Sequence, residues 1–297
     1  MELLEKNIND QYGEQGRKWL ADLPKRVRQI AAVHGLSDLK AVKNLSYNYV
    51  MTGMQTSQPV ILKLGLDISG LKREAMALKA FEGLGAVNML AEEDGMLLLE
   101  RAIPGVSLKS SFPENDSEAI RITCECLNRL HSAPIPLNNR FPYVKDWLAA
   151  LDKDWEIPLH FLQKARVLRD NLMLTSAREV LLHGDLHHDN LLQNGSTWMV
   201  IDPKGVIGEP AFEVAAFIRN PIPELLTLGT AAWHIIQNRI IHFAKLLSLS
   251  EQKILDWCYV QAVLAWAWAL EDGCETACFR QLSALFETAR LQPGNIS

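Results

Sequence analysis

Three polar side chains in one short stretch could do chemistry together. In His183-Gly184-Asp185-Leu186-His187-His188-Asp189-Asn190, an aspartate is followed by an asparagine after four intervening residues, and Asp202 closes an apolar run further on. Asp185 can orient an attacking hydroxyl and accept its proton. Asn190 and Asp202 offer hard oxygen donors to Mg²⁺, which fills the rest of its shell with phosphates and waters. Between them, the run Leu191–Ile201 reads as two short strands around an Asn194-Gly195 turn. Such a hairpin folds Asp202 back beside Asn190, where a carboxylate and an amide can share one ion.

The order H-x-D-x-x-x-x-N, then a second aspartate, is that of a kinase catalytic loop with its metal-binding aspartate. A rival chemistry uses the same letters: His183, Asp185, His187, His188 and Asp189 also resemble a clustered transition-metal site of a hydrolase. Such an enzyme wants further ligands downstream, and only His234 and His242 follow, both in helix-like apolar stretches. His183 is therefore expected to donate to the loop backbone, and His187 and His188 to mix packing with cleft lining.

Phosphoryl transfer also needs a cation for the nucleotide phosphates. Lys63 ends the apolar strand Val60-Ile61-Leu62-Lys63, and Glu74 on the following helix can pair with it and fix its position. A lysine so placed could otherwise simply snorkel at a strand edge. No Gly-x-Gly-x-x-Gly lies near 41–53; the chain offers Asn44-Leu45-Ser46-Tyr47-Asn48, with Ser46 as a phosphate cap. The strand Met96–Glu100 can offer backbone groups of Glu100 to a base edge.

The elements that must position these residues fall into two parts. Residues 1 to about 35 read as amphipathic helix interrupted by Pro24. Short strands follow from Ala41 to about Leu66, then a helix at Leu71–Phe81 and strands at Val87–Ala91 and Gly95–Glu100. Arg101-Ala102-Ile103-Pro104-Gly105 is a hinge. Helices dominate beyond it: one beginning at Asn115 and ending before Pro134, then Val144–Leu151, Leu159–Leu174, Phe212–Arg219, Glu224–Leu247, Ser250–Leu270 and Thr276–Leu291. This is an α+β chain: a small β-rich lobe over 1–100, a hinge at 101–105, and a larger helical lobe over 106–297 carrying the catalytic loop.

At 297 residues the chain can bury a large core, and its 48% hydrophobic and 22% charged content is that of a globular protein. A net charge of −5 argues against nucleic acid as the main partner and suits a cationic ligand. The charged start Met1-Glu2-Leu3-Leu4-Glu5-Lys6 does not read as a signal peptide, and the apolar stretch Ala262–Leu270 is too short to span a bilayer. The five cysteines form no Cys-x-x-Cys pair, so free thiols in a cytoplasmic setting are expected.

The run from Leu182 to Asn190, with Trp198-Met199-Val200-Ile201-Asp202-Pro203-Lys204-Gly205-Val206-Ile207-Gly208-Glu209, resembles the aminoglycoside phosphotransferases, in particular the branch of streptomycin 6-kinases and hydroxyurea-resistance kinases. Asp-Pro-x-Gly after the metal aspartate marks that branch, where protein kinases have Asp-Phe-Gly. The resemblance spans roughly Leu45 to Gly273. It implies a two-lobed, protein-kinase-like fold and ATP- and Mg²⁺-dependent phosphorylation of a small-molecule hydroxyl. By that likeness Asp185 is catalytic, Asn190 and Asp202 bind Mg²⁺, Lys63 contacts phosphates and Glu74 positions Lys63. Lys204 is expected to reach solvent rather than phosphate.

Aminoglycosides are polycations, so an acidic cleft would draw them in. Its candidate walls are Asp189, Glu209, Glu213, Asp256, Glu271 and Asp272, with Trp266 and Trp268 to cover a guanidinium or sugar face. Related kinases act on homoserine, choline, methylthioribose or ketosamines, which makes a metabolite alcohol the alternative acceptor. A non-catalytic nucleotide-binding relative would have lost Asp185, Asn190, Asp202 or Lys63, and all four stand. Oligomeric state is not readable from the sequence.

Overall fold

The computed structural model of the chain describes residues 1–43, 45–136, 140–176 and 178–290. Asn44 of the expected phosphate-capping run, and Leu291 at the end of the last expected helix, lie outside the described residues.

The first part is one antiparallel sheet under a long helix. Helix α1 (Glu2–His34) leads into β1 (Leu36–Ala41), β2 (Tyr49–Gln55), β3 (Gln58–Leu64), α2 (Ile68–Ala80), β4 (Met89–Glu93) and β5 (Met96–Glu100), with strand order β1-β2-β3-β5-β4. Alternation along β3 decides the layers. Val60, Leu62 and Leu64 join Met96 and Leu98 of β5 in a core with Leu4, Ile8, Trp19, Leu23 and Ile30 of α1. Ile61 and Lys63 point to the other face. The break in α1 comes at Gly13 (φ 55°, ψ −123°), not at Pro24, which stays inside the helix. Only glycine takes that backbone geometry readily. Gly16 completes the bend, because a Cβ there would lie 2.5 Å from the carbonyl oxygen of Ile8. Strand β1 escapes sequence reading because a bulge at Asp38 (φ 54°) destroys its alternation.

The chain leaves β5 at Glu100 and enters β6 (Pro104–Ser107), which pairs with β8 (Leu191–Asn194). The last two residues of the expected hinge thus belong to a strand. Next come α3 (Asp116–Leu130), α4 (Val144–Leu148), α5 (Leu159–Leu174), β7 (Val180–Leu182), then β9 (Thr197–Val200), β10 (Val206–Gly208), α6 (Pro210–Arg219), α7 (Ile222–Thr227), α8 (Thr230–Leu247), α9 (Glu251–Glu271) and α10 (Ala277–Arg290). The helix expected over 224–247 is two, parted at Gly229 (φ 57°), and α4 gives way to a 3-10 turn at Ala149–Asp152. Helix α9 is apolar nearly all round, and it buries Ile254, Trp257, Val260, Leu264 and Ala267 against its neighbours. Among the described residues, no helix is long and apolar enough to cross a membrane.

Two small ladders position the chemistry. Strand β7 ends at Leu182, just before the candidate catalytic loop, and pairs antiparallel with β10, register Leu182↔Val206. Strands β8 and β9 pair Leu191 with Val200. The loops 183–190 and 201–205 are therefore clamped side by side at both ends. Gly195 and Ser196 form the tip of the hairpin, one residue later than the Asn-Gly pair suggests, with Gly195 at φ 59°.

Candidate active site

Lys63 reaches from β3 to the junction of the two parts. Its ammonium donates to Glu74 Oε2 at 2.6 Å and to Asp202 Oδ1 at 2.5 Å, with the residue only 7% exposed. Burial disfavours its charge, but Asp202 and Glu74 outweigh that and hold its pKa above the ordinary value. Burial works against the charged form of Asp202 too, yet Lys63 and Lys204 keep its carboxyl well below the usual range. Lys204 does not simply reach solvent: its ammonium sits 2.6 Å from Asp202 Oδ2. A cavity of about 470 Å³ opens beside this cluster, lined by Ser46, Lys63, Glu100, Asn190 and Asp202, with Ile61, Val87, Leu99 and Leu192 as apolar walls. It places every residue expected on the nucleotide side around one space.

The candidate catalytic loop, residues 183–190, is fixed largely through its own backbone groups. The amide N–H of Asp185 donates to His183 Nδ1 (3.2 Å), so Nε2 carries the proton and donates to the carbonyl of Ile201 (2.8 Å). Lys204 N–H donates in turn to the carbonyl of His183 (2.7 Å), and Ile201 N–H to that of Asn190 (3.0 Å). Asn190 donates its amide N–H to the Asp185 carbonyl (2.8 Å), which leaves Oδ1 as the free acceptor of the side chain. That oxygen and the ionised Asp202 carboxylate are hard donors on adjoining loops. They fit Mg²⁺, which needs few protein ligands where phosphates complete its shell. The transition-metal alternative fails on orientation. His183 is spent inside the loop, and His188 is stacked on Phe217 (3.9 Å between ring centroids) with Nε2 toward Arg239. Among the described residues, no three His, Cys, Asp or Glu side chains are grouped to hold a metal.

Gly184 stands at φ 89°, and a Cβ there would press Trp147 at 2.8 Å, so this loop position takes glycine alone. Asp185 keeps about a third of its side chain exposed. Two cationic or polar groups flank its carboxylate, Arg219 Nη2 at 3.9 Å from Oδ1 and His187 Nε2 at 3.8 Å from Oδ2.

Beyond Asp185 lies a second cavity, of about 810 Å³, walled by α2, α4, the catalytic loop, α6 and α9. It shares Asn48, Glu74 and Asp202 with the first, so the two spaces meet at the cluster. Of the residues expected to meet the acceptor, Trp268 and Asp272 line it. The others stand elsewhere. Glu213 is buried and accepts the Gly184 N–H at 2.9 Å, holding the loop from behind. Glu209 is buried against Lys253 and Trp257, and Trp266 packs on Phe161. Asp189 is exposed beside Ser107, Asp256 accepts from Gln252 one turn away, and Glu271 pairs with Lys153 at 2.7 Å. Sequence reasoning missed Asp67, Arg73, Trp147, Arg219 and Gln261. Gln261, Leu264, Ala265, Trp268 and Asp272 follow a helical stripe along α9, a signal that was available. Arg219 is gripped by Gln261 Oε1 (2.7 Å), while its Nε has no partner among the described residues.

A strand lysine paired with a helix glutamate, an Asp/Asn loop clamped to a second aspartate, and two cavities meeting there define a small-molecule kinase of protein-kinase-like fold. Residues 35–273 match the aminoglycoside/hydroxyurea antibiotic resistance kinases, and the chain belongs to that family. It is 30% identical to streptomycin 3''-kinase of Klebsiella pneumoniae over 235 residues, covering 76% of this chain and 85% of that one. It is 26% identical to streptomycin 6-kinase of Streptomyces griseus over 273 residues, 88% of this chain and 87% of that one. In fold it is similar to choline kinase LicA from Streptococcus pneumoniae (TM-score 0.68, 16% identity, 90% of this chain and 99% of that one). It is likewise similar to a thermostable mutant of aminoglycoside phosphotransferase APH(4)-Ia in ternary complex with AMP-PNP and hygromycin B (TM-score 0.67, 15% identity, 90% and 99% covered).

Proposed function

We propose that the protein moves the γ-phosphoryl group of ATP to a hydroxyl of a cationic aminoglycoside of the streptomycin type. The observation that carries this reading is the meeting of the two cavities at Asp202, with Asp185 at the mouth of the second. ATP occupies the first cavity, its base against Glu100 and the apolar walls, its phosphates toward Ser46 and Lys63. Glu74 fixes Lys63 in that position. Asn190 and Asp202 would hold Mg²⁺, which would supply charge neutralisation to the phosphates. Asp185 orients the acceptor hydroxyl in line and takes its proton late, since an alcohol is too weak an acid to lose it beforehand. Asp67 and Asp272 draw a cation into the second cavity, and Trp147 and Trp268 offer it ring faces. ATP use and five unpaired thiols suit work in the cytoplasm.

The test is mass spectrometry of streptomycin, hygromycin B, hydroxyurea, choline and homoserine after incubation with the protein and Mg-ATP. Streptomycin gains one phosphoryl group, and Asp185→Asn abolishes the product while nucleotide binding persists. Phosphorylation of choline or homoserine instead of any antibiotic would replace the acceptor class, and undiminished turnover by Asp185→Asn would remove that residue from its role.

A further inference from the structure

Asp202 is held from two sides. Lys63 donates to Oδ1 at 2.5 Å, and Lys204 donates to Oδ2 at 2.6 Å from the side of the acceptor cavity, which it lines. With Glu74, the cluster holds two ammonium groups and two carboxylates and balances to zero. Each oxygen keeps a second lone pair for a metal, but an ammonium 2.6 Å from Oδ2 repels a divalent cation that approaches the same oxygen, so metal entry favours withdrawal of one donor.

The two lysines are not equal candidates to withdraw. The Lys63 side chain is 8% exposed and anchored by Glu74 as well. The Lys204 side chain is 44% exposed. Its backbone is pinned, because its N–H donates to the carbonyl of His183 at 2.7 Å, so only the four-carbon stem is free to turn. That stem lies on the second-cavity side of Asp202, a residue both cavities share.

We propose that Lys204 is a positioning residue that stands in for the divalent cation at Asp202 in the metal-free enzyme, yields Oδ2 on metal entry, and turns its ammonium to the phosphoryl group in transit. This rests on the reading of Asp202 as a metal ligand. Lys204 thereby keeps the buried cluster neutral before the nucleotide arrives. Its departure weakens metal binding in the ground state, and its new contact strengthens in the transition state, which is where binding raises turnover.

Two readouts move in opposite directions. With Mn²⁺ as the probe, in the presence of ADP and with no acceptor, paramagnetic resonance of the free ion gives its affinity. Lys204→Met, which keeps the stem and loses the charge, binds Mn²⁺ roughly three- to tenfold tighter. Its phosphoryl transfer to streptomycin falls about a hundredfold. Lys204→Arg restores the charge and returns Mn²⁺ affinity toward that of the parent protein. Unchanged or weaker Mn²⁺ binding by Lys204→Met overturns the proposal. The unmodified protein gives a second test: limiting acetylation of the Lys204 amine, followed by peptide mass spectrometry, accelerates when Mg²⁺ and ADP are added. An unaltered rate overturns the proposal even if Lys204→Met does not fold. Both binding tests omit the acceptor, so failure to phosphorylate streptomycin counts against the substrate assignment and leaves them standing.

Discussion

Replacing Arg239 by methionine probes what holds the catalytic loop in place. The guanidinium is fully buried on α8 and donates through Nε (2.8 Å) and Nη2 (2.6 Å) to the two carboxylate oxygens of Asp116. Nη1 donates to the carbonyls of Phe217 (3.2 Å), Ile218 (2.9 Å) and Asn220 (2.5 Å), which closes the C-terminus of α6. Nη2 also lies 3.4 Å from Nε2 of His188, inside the catalytic loop. Methionine fills part of the volume but strands a buried carboxylate and takes a donor from the carbonyls of Ile218 and Asn220, while that of Phe217 keeps the Asn220 N–H. Removing one partner of a buried pair costs about 3–5 kcal/mol. The stranded carbonyls fall within that figure where water follows the vacated guanidinium. With about 2.1 cal/mol/K of unfolding entropy per residue, a chain of 297 residues loses roughly 1.6 °C per kcal/mol, so the melting midpoint drops by about 5–8 °C. Circular dichroism melts of the parent protein, Arg239→Met, Asp116→Asn and the double variant measure it. The double variant melts above Arg239→Met, because neutralising Asp116 removes the stranded charge. A loss in Arg239→Met of less than about 1 kcal/mol, the level of an exposed ion pair, would refute the reasoning. So would strictly additive effects in the double variant.

Two further perturbations test other parts of the frame. Glu74→Gln removes one of the carboxylates that hold Lys63, and a charge-assisted hydrogen bond of this kind is worth about 1.5–3 kcal/mol, or roughly ten- to a hundredfold. The loss should appear in kcat/KM for ATP while the acceptor KM stays put; equal losses for both substrates would point to general unfolding of the site. Among the cysteines, Cys274 is exposed and Cys278 half-buried, whereas Cys124, Cys126 and Cys258 are buried. Burial pushes the Cys124 thiol up to about 12 and raises those of Cys126 and Cys258 as well. A disulfide reagent at neutral pH should modify Cys274 quickly, Cys278 more slowly and the other three only after denaturation; fast native labelling of Cys124 would contradict the packing of α3.

The legible part of this protein is the part whose geometry is local. Asp185 and Asn190 share one loop, and the hairpin that returns Asp202 is written in the residues between them. Lys63 could be aimed by counting along β3, since Val60, Leu62 and Leu64 claim the opposite face. The acceptor cavity has no such continuity. Asp67, Trp147, Arg219 and Asp272 come from four separate helical segments, and no spacing in the sequence relates them. Selecting acids by charge alone therefore found Asp272 but also Glu213, whose carboxylate faces inward to a backbone N–H, and Glu271, which faces outward to Lys153. Arg239 was unreadable for the same reason: one arginine on a helix gives no sign that Asp116 and the end of α6 will close around it. The division has a physical consequence for function. The loop proposed to transfer the phosphoryl group is fixed by hydrogen bonds such as His183 to Ile201, while the wall proposed to meet the acceptor depends on how α2, α4, α6 and α9 pack. Substitutions along that wall can change which alcohol is admitted without disturbing the geometry that phosphorylates it.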